Sequence, residues 1–96
     1  MLQTIISAIR NRECLTFTYS GLSRVVQPAA VGVSSAGNDV LRCYQTAGGH
    51  IKGGHQWDLC DLSKILNLST TGEHFATNPP GYRKGDKGMT NIYAEL

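Results

Sequence analysis

The sequence predicts a mainly β domain capped by one N-terminal helix, and three observations carry that prediction. A short amphipathic stretch opens the chain, five strand-like runs follow between Gly, Ser and Asn turns, and no crossover helix separates those runs. Parallel strands need long, usually helical connections, so short polar links point to antiparallel pairing. Five short strands in a small chain are expected to form a closed or nearly closed small barrel, which removes exposed sheet edges. The expected architecture is thus α+β by content: a helix, a five-stranded barrel, and a short C-terminal arm or helix.

Leu2, Ile5, Ile6 and Ile9 recur at helical spacing and make one apolar stripe, so residues 1–12 read as a helix ending near Arg10 to Arg12. From Cys14 to Tyr19 the pattern alternates, with Leu15, Phe17 and Tyr19 on one face and Thr16 and Thr18 on the other. A tight turn around Gly21 leads into Arg24 to Val33, a longer Val-rich strand in which Pro28 must lie at a bulge or an edge because it cannot donate to a ladder. Gly37 and Asn38 suit the positive φ of a hairpin turn into a third strand, Asp39 to Gln45. Ala47 to His55 holds four glycines in nine residues with no apolar period and reads as a mobile loop. Gln56 to Cys60 and Leu62 to Leu68 supply two further strands. An OB barrel carries a helix between its third and fourth strands, where this chain has the glycine loop, so an Sm-like or SH3-like layout fits better. Ser69 to Glu73 is polar, Asn78-Pro79-Pro80-Gly81 is a breaker, and Tyr82 to Lys87 is basic and turn-like. Met89, Ile92, Tyr93 and Leu96 return to helical spacing, so the tail, 79–96, is expected to pack back as a short helix or extended arm.

Ninety-six residues allow one core, so 1–96 is a single domain with its barrel over 14–68. A hydrophobic content of 41% against 17% charged residues is globular rather than disordered. The net charge of +2 is too mild for a duplex-binding surface, so any basic site must be local. No signal-peptide core or membrane-length apolar run is present, and a cytoplasmic protein without membrane contact is expected. Cys14, Cys43 and Cys60 are odd in number and lie in apolar runs, where a free thiol behaves as a small hydrophobe; they read as reduced core residues.

The segments Phe17-Thr18-Tyr19, Arg24-Val25-Val26-Gln27-Pro28, Val40-Leu41-Arg42-Cys43-Tyr44-Gln45 and Asp61-Leu62-Ser63-Lys64-Ile65 occur in an order and at a spacing that resembles a WYL domain, over residues 14 to 65. The tripeptide naming that family falls near Asp39-Val40-Leu41, where only the Leu matches, and Lys64 stands where an Arg usually precedes the fifth-strand Ile. The winged helix-turn-helix that usually accompanies the module is not in the sequence. The resemblance therefore implies a divergent, stand-alone bacterial module with an Sm-like, SH3-type barrel. It also implies binding of a nucleotide or single-stranded nucleic acid through basic and aromatic side chains, and a regulatory role, including transcription regulation, exerted on another chain.

Arg24 and Arg42 lie among Val, Leu and Tyr, an expensive place for a guanidinium unless it is paired or meets an anionic ligand. They are the leading ligand candidates; projection to solvent, or pairing with Asp39, Asp58 or Asp61, is the alternative. Tyr19, Tyr44 and Trp57 suit stacking beside those cations, or simple core packing, and Lys64 suits a phosphate contact, or plain solvation. Cys43, His50, His55 and Cys60 form a C-x6-H-x4-H-x4-C set whose spacing matches no zinc knuckle, so no metal is expected. The Gly48-Gly49 and Gly53-Gly54 pairs lack the strand-to-helix context of a phosphate loop. No signature joins a Cys or Ser to an oriented His, so neither an enzyme nor a cofactor is expected. The expected function is that of a sensing module for a small anionic ligand, with a protein partner or homo-oligomer. A protein–protein interaction or oligomerisation module without its own ligand is the alternative.

Overall fold

The computed structural model describes residues 1–49 and 55–96. Helix α1 runs over Leu2–Asn11 and buries Ile5, Ile6 and Ile9 of the stripe read from spacing together with Ala8, while Leu2 is only partly buried against the core. It stops at Arg12, which takes a left-handed conformation (φ 53°) and turns its N–H back to the Ile9 carbonyl at 3.2 Å.

Strand β1 (Glu13–Tyr19) follows at once and pairs antiparallel with β2 (Leu22–Val33). The two residues between them, Ser20 and Gly21, both have positive φ (52° and 74°), the geometry that matches the twist of a two-residue hairpin. Next come β3 (Asp39–Gly48), β4 (Trp57–Asp61), a 3₁₀ turn η1 (Leu62–Lys64), β5 (Leu66–His74) and β6 (Asn91–Glu95). The sheet order is β4-β3-β2-β1-β5, with β6 also on β2. Strand β2 is long enough to carry β1 along its first half, up to Val26, and β6 from Ala30 onward. Pro28 falls in the gap between those two ladders, and on the β3 side the register shifts between Pro28 and Ala30, so the expected bulge is present.

The main core joins Ile5, Ile6, Ala8 and Ile9 of α1 to Leu15, Phe17, Val26, Val31, Leu41, Cys43 and Cys60 of the sheet, closed by Leu62 and Ile65. A smaller cluster on the opposite sheet face holds Ala30, Val40 and Met89, with Leu59 and Ile92 against it. Cys14, Cys43 and Cys60 are free and buried. Among the described residues no helix is long and apolar enough to cross a membrane.

Three expectations need correcting, and one pair of alternatives is resolved. Among the described residues the sheet has six strands and is not closed: β4 and β5 each have one ladder partner. Leu62 to Leu68 is not one strand. Asp61 caps η1 by accepting from the Ser63 N–H (2.9 Å) and hydroxyl (2.7 Å), and β5 then continues through the polar 69–73 stretch, supported by β1. Of the two forms expected for the tail, the extended arm is the one present, because the free half of β2 offers it a ladder. Gly32 permits that approach: a Cβ there would lie 2.2 Å from the Asn91 carbonyl oxygen. Finally, Ala47 and Gly48 belong to β3 rather than to a loop, while residues 50–54 of the expected loop lie outside the described residues.

Candidate functional site

The alternation of the sheet separates the two arginines. Arg24 shares a face with Val26, the core face on which Cys43 and Asp58 stand opposite each other. Its Nη1 donates to Asp58 Oδ2 at 2.7 Å, and its guanidinium lies 5.3 Å from the centre of the Tyr19 ring. The Tyr19 hydroxyl accepts the Asp61 N–H at 3.0 Å, and burial pushes its pKa up. Tyr19, Arg24 and Asp58 thus form an internal ion pair with an aromatic lid, the structural alternative anticipated for Arg24.

Arg42 projects from the other face, beside Ala30 and Leu59, its partners on the neighbouring strands. Its ion-pair partner is Asp86, a residue of the tail and none of the three aspartates considered from the sequence. Nε to Oδ2 is 2.7 Å and Nη2 to Oδ1 is 3.2 Å, a two-pronged grip. The Gly88 N–H donates to the same Oδ1 at 2.8 Å. These hydrogen bonds hold the Asp86 carboxyl below its usual value, and its carboxylate raises Arg42. A Cβ at Gly88 would come within 3.1 Å of both Arg42 Nη2 and Asp86 Oδ1, so the missing side chain leaves room for the pair.

Trp57 stands on this outer face opposite Tyr44, their rings 5.3 Å apart and 68° inclined. Its indole N–H donates to the Pro80 carbonyl at 2.7 Å, which fixes the ring and ties the tail to β4. Beyond Gly81 the chain loops out and returns through β6; Tyr82 donates to the Leu96 carbonyl at 2.9 Å and the Gly85 N–H to Glu95 at 3.0 Å. Between this loop and the sheet lies an open pocket of about 410 Å³ lined by Arg42, Trp57, Tyr82, Arg83, Lys84 and Lys87, with Asp86 beside them. Arg83, Lys84 and Lys87 are exposed and form no ion pair among the described residues. Aromatic walls and four cations against one carboxylate suit a planar or apolar body that carries negative charge.

Of the six residues singled out from the sequence, the structure brings Arg42, Tyr44 and Trp57 together, puts Tyr19 and Arg24 on the opposite face, and leaves Lys64 exposed on η1. The residues missed are Tyr82, Arg83, Lys84, Asp86 and Lys87. Their signal was the basic turn between Pro80-Gly81 and Gly88; what made it a site was its folding against β3 and β4, which no local pattern encodes. Of the zinc-like set, Cys43 and Cys60 are buried side by side on the core face, His55 is exposed, and His50 lies outside the described residues, as does the Gly53-Gly54 pair. Among the described residues no group of three or more His, Cys, Asp or Glu is placed to hold a metal ion. Compared with protein-family models, curated proteins and solved structures, the chain has no match.

Proposed function

We propose that this chain is a non-enzymatic binding module that takes a small anionic ligand, a nucleotide or a short single-stranded nucleic acid, in the pocket between Trp57 and the 81–88 loop. The observation that carries the reading is the fixed Trp57 ring beside three exposed cations, Arg83, Lys84 and Lys87. A base stacks on a ring whose orientation is already set, and phosphates meet the loop cations. In this reading the open, helix-capped sheet takes the place of the Sm-like or SH3-like barrel of a divergent WYL module, the protein works in the cytoplasm, and the bound state is passed to a regulated partner, including one that controls transcription.

Isothermal titration with AMP and with a short oligo-dT at two salt concentrations tests it. Binding should weaken as salt rises, because phosphate contacts release counterions. Arg83→Gln and Lys84→Gln should each lower affinity and flatten that salt dependence, whereas Arg24→Met, on the other face, should leave it unchanged. Absence of binding, or binding indifferent to the loop cations, rejects the reading.

One observation favours the alternative of an oligomerisation module. Strand β5 is exposed along nearly its whole length, pairs only with β1 among the described residues, and presents Leu66 at 60% exposure. A concentration-dependent mass in analytical ultracentrifugation, abolished by Leu66→Lys, would put that reading ahead.

A further inference from the structure

Of the four cations lining the pocket, Arg42 belongs to β3 and the other three to the loop. Arg42 is also the one already gripped by a carboxylate, with both Asp86 oxygens on its Nε and Nη2. That side-by-side arrangement is the one a guanidinium uses to hold a phosphate or carboxylate of a ligand. The carboxylate comes from the same short loop that supplies the other cations. The loop is held at Pro80 by Trp57 and at Gly85 by Glu95, and Asp86 follows directly, its backbone carbonyl accepting from the Met89 N–H at 3.2 Å.

We propose that Asp86 is an internal competitor: it occupies Arg42 in the unliganded protein, and an anionic ligand gains Arg42 only when the 81–88 loop moves that carboxylate away. This inference rests on the anion-site reading above and adds a regulation to it. The opposing role, a strut that merely aims Arg42 at the ligand, has the opposite sign: losing Asp86 would then weaken binding.

Trp57 is the only tryptophan of the chain and lines the pocket, so its fluorescence reports occupancy directly. AMP is titrated into wild type, Asp86→Asn, Asp86→Ser, Asp86→Glu and Glu95→Gln, each accepted only if its near-ultraviolet circular dichroism matches wild type. Asn and Ser both keep an acceptor for the Gly88 N–H. Asp86→Asn and Asp86→Ser should bind AMP about tenfold more tightly, the gain expected if Arg42 is free roughly a tenth of the time in wild type. Asp86→Glu should stay near wild type. Glu95→Gln removes a carboxylate from the same neighbourhood and should gain only about twofold, the share due to general charge near a screened surface. In an Arg42→Gln background, Asp86→Asn should gain no more than Glu95→Gln does. Neutral variants at Asp86 that bind equally or more weakly than wild type, or no better than Glu95→Gln, overturn the competitor role while leaving the site. Failure of AMP to bind wild type and every variant overturns the site and the competitor together.

Discussion

Arg24 Nη1 lies 2.7 Å from Asp58 Oδ2, yet water reaches the two ends of this pair very unequally: the Arg24 side chain is 5% exposed and that of Asp58 42%. The cation is the member that depends on its partner, because its Nε has no acceptor among the described residues and its other contact is the Tyr19 ring. Removing one partner of a buried pair leaves an uncompensated charge, whereas replacing the charge with an apolar side chain of similar length does not. Asp58→Ala should therefore destabilise the fold by about 2 kcal/mol, discounted from the fully buried case because solvent already screens the carboxylate. Arg24→Met should cost less. Urea midpoints at constant m-value measure both, and a larger loss for Arg24→Met would mean that the guanidinium is held by something other than Asp58.

Gly32 sets whether the tail can dock. Substituting Ala places a Cβ 2.2 Å from the Asn91 oxygen and 2.9 Å from the Ile92 Cα, both backbone atoms that have no rotamer to escape into. Gly32→Ala should cost about 2 to 4 kcal/mol, in the range of severe overpacking. Amide exchange should accelerate selectively at Ile92 to Glu95 while the β1–β2 hairpin stays protected. Uniform protection in the variant would show that β6 tolerates the side chain.

What was legible in the sequence follows from where the information lies. The helix stripe, the alternation of Leu15 and Phe17 and the Pro28 bulge are local patterns, and each is present in the structure. The tail reads two ways because Met89, Ile92, Tyr93 and Leu96 fit a helical period and also a bent strand that serves two clusters; the free half of β2, a distant partner, selects the extended form. The two arginines looked alike because each sits in an apolar run. Their opposite faces depend on ladder register: the β2–β3 shift between Val25 and Val26 lies beside Arg24, and no single-strand pattern contains it. Asp86 as the partner of Arg42 is 44 positions away and was beyond any local reading.

Cys43 and Cys60 pack on the core face, and the neighbouring Cys60 thiol together with burial pushes Cys43 well up. Only the thiolate attacks thiol reagents, so native protein at mildly alkaline pH should label slowly at both positions and all three cysteines should react quickly in denaturant. Cys14, whose pKa is also raised by burial and by Glu73 and Glu13, should be protected as well. Colour development with an aromatic disulfide reagent measures this. Rapid stoichiometric labelling of the folded protein at Cys43 or Cys60 would show that β4 opens far more readily than its ladder to β3 suggests.

The Arg42–Asp86 pair makes stability depend on acid in a definite direction. Asp86 has a folded pKa below its usual 3.8, chiefly because Arg42 donates to it, with the Gly88 N–H adding to the effect. A carboxyl whose pKa is depressed on folding contributes stability in full above its unfolded value and loses it as pH falls through the folded one. The stability lost in Asp86→Asn relative to wild type should therefore be constant at neutral pH. It should begin to shrink as the medium approaches 3.8 and vanish below the depressed value. Guanidinium denaturation of both proteins across that acid range gives the difference directly. A gap that widens on acidification would mean that Asp86 is stabilised in its protonated form, and the ion pair with Arg42 would have to be abandoned. The same variant is expected to bind AMP more tightly at neutral pH while being the less stable protein, so the loss in stability and the gain in affinity must appear together in Asp86→Asn.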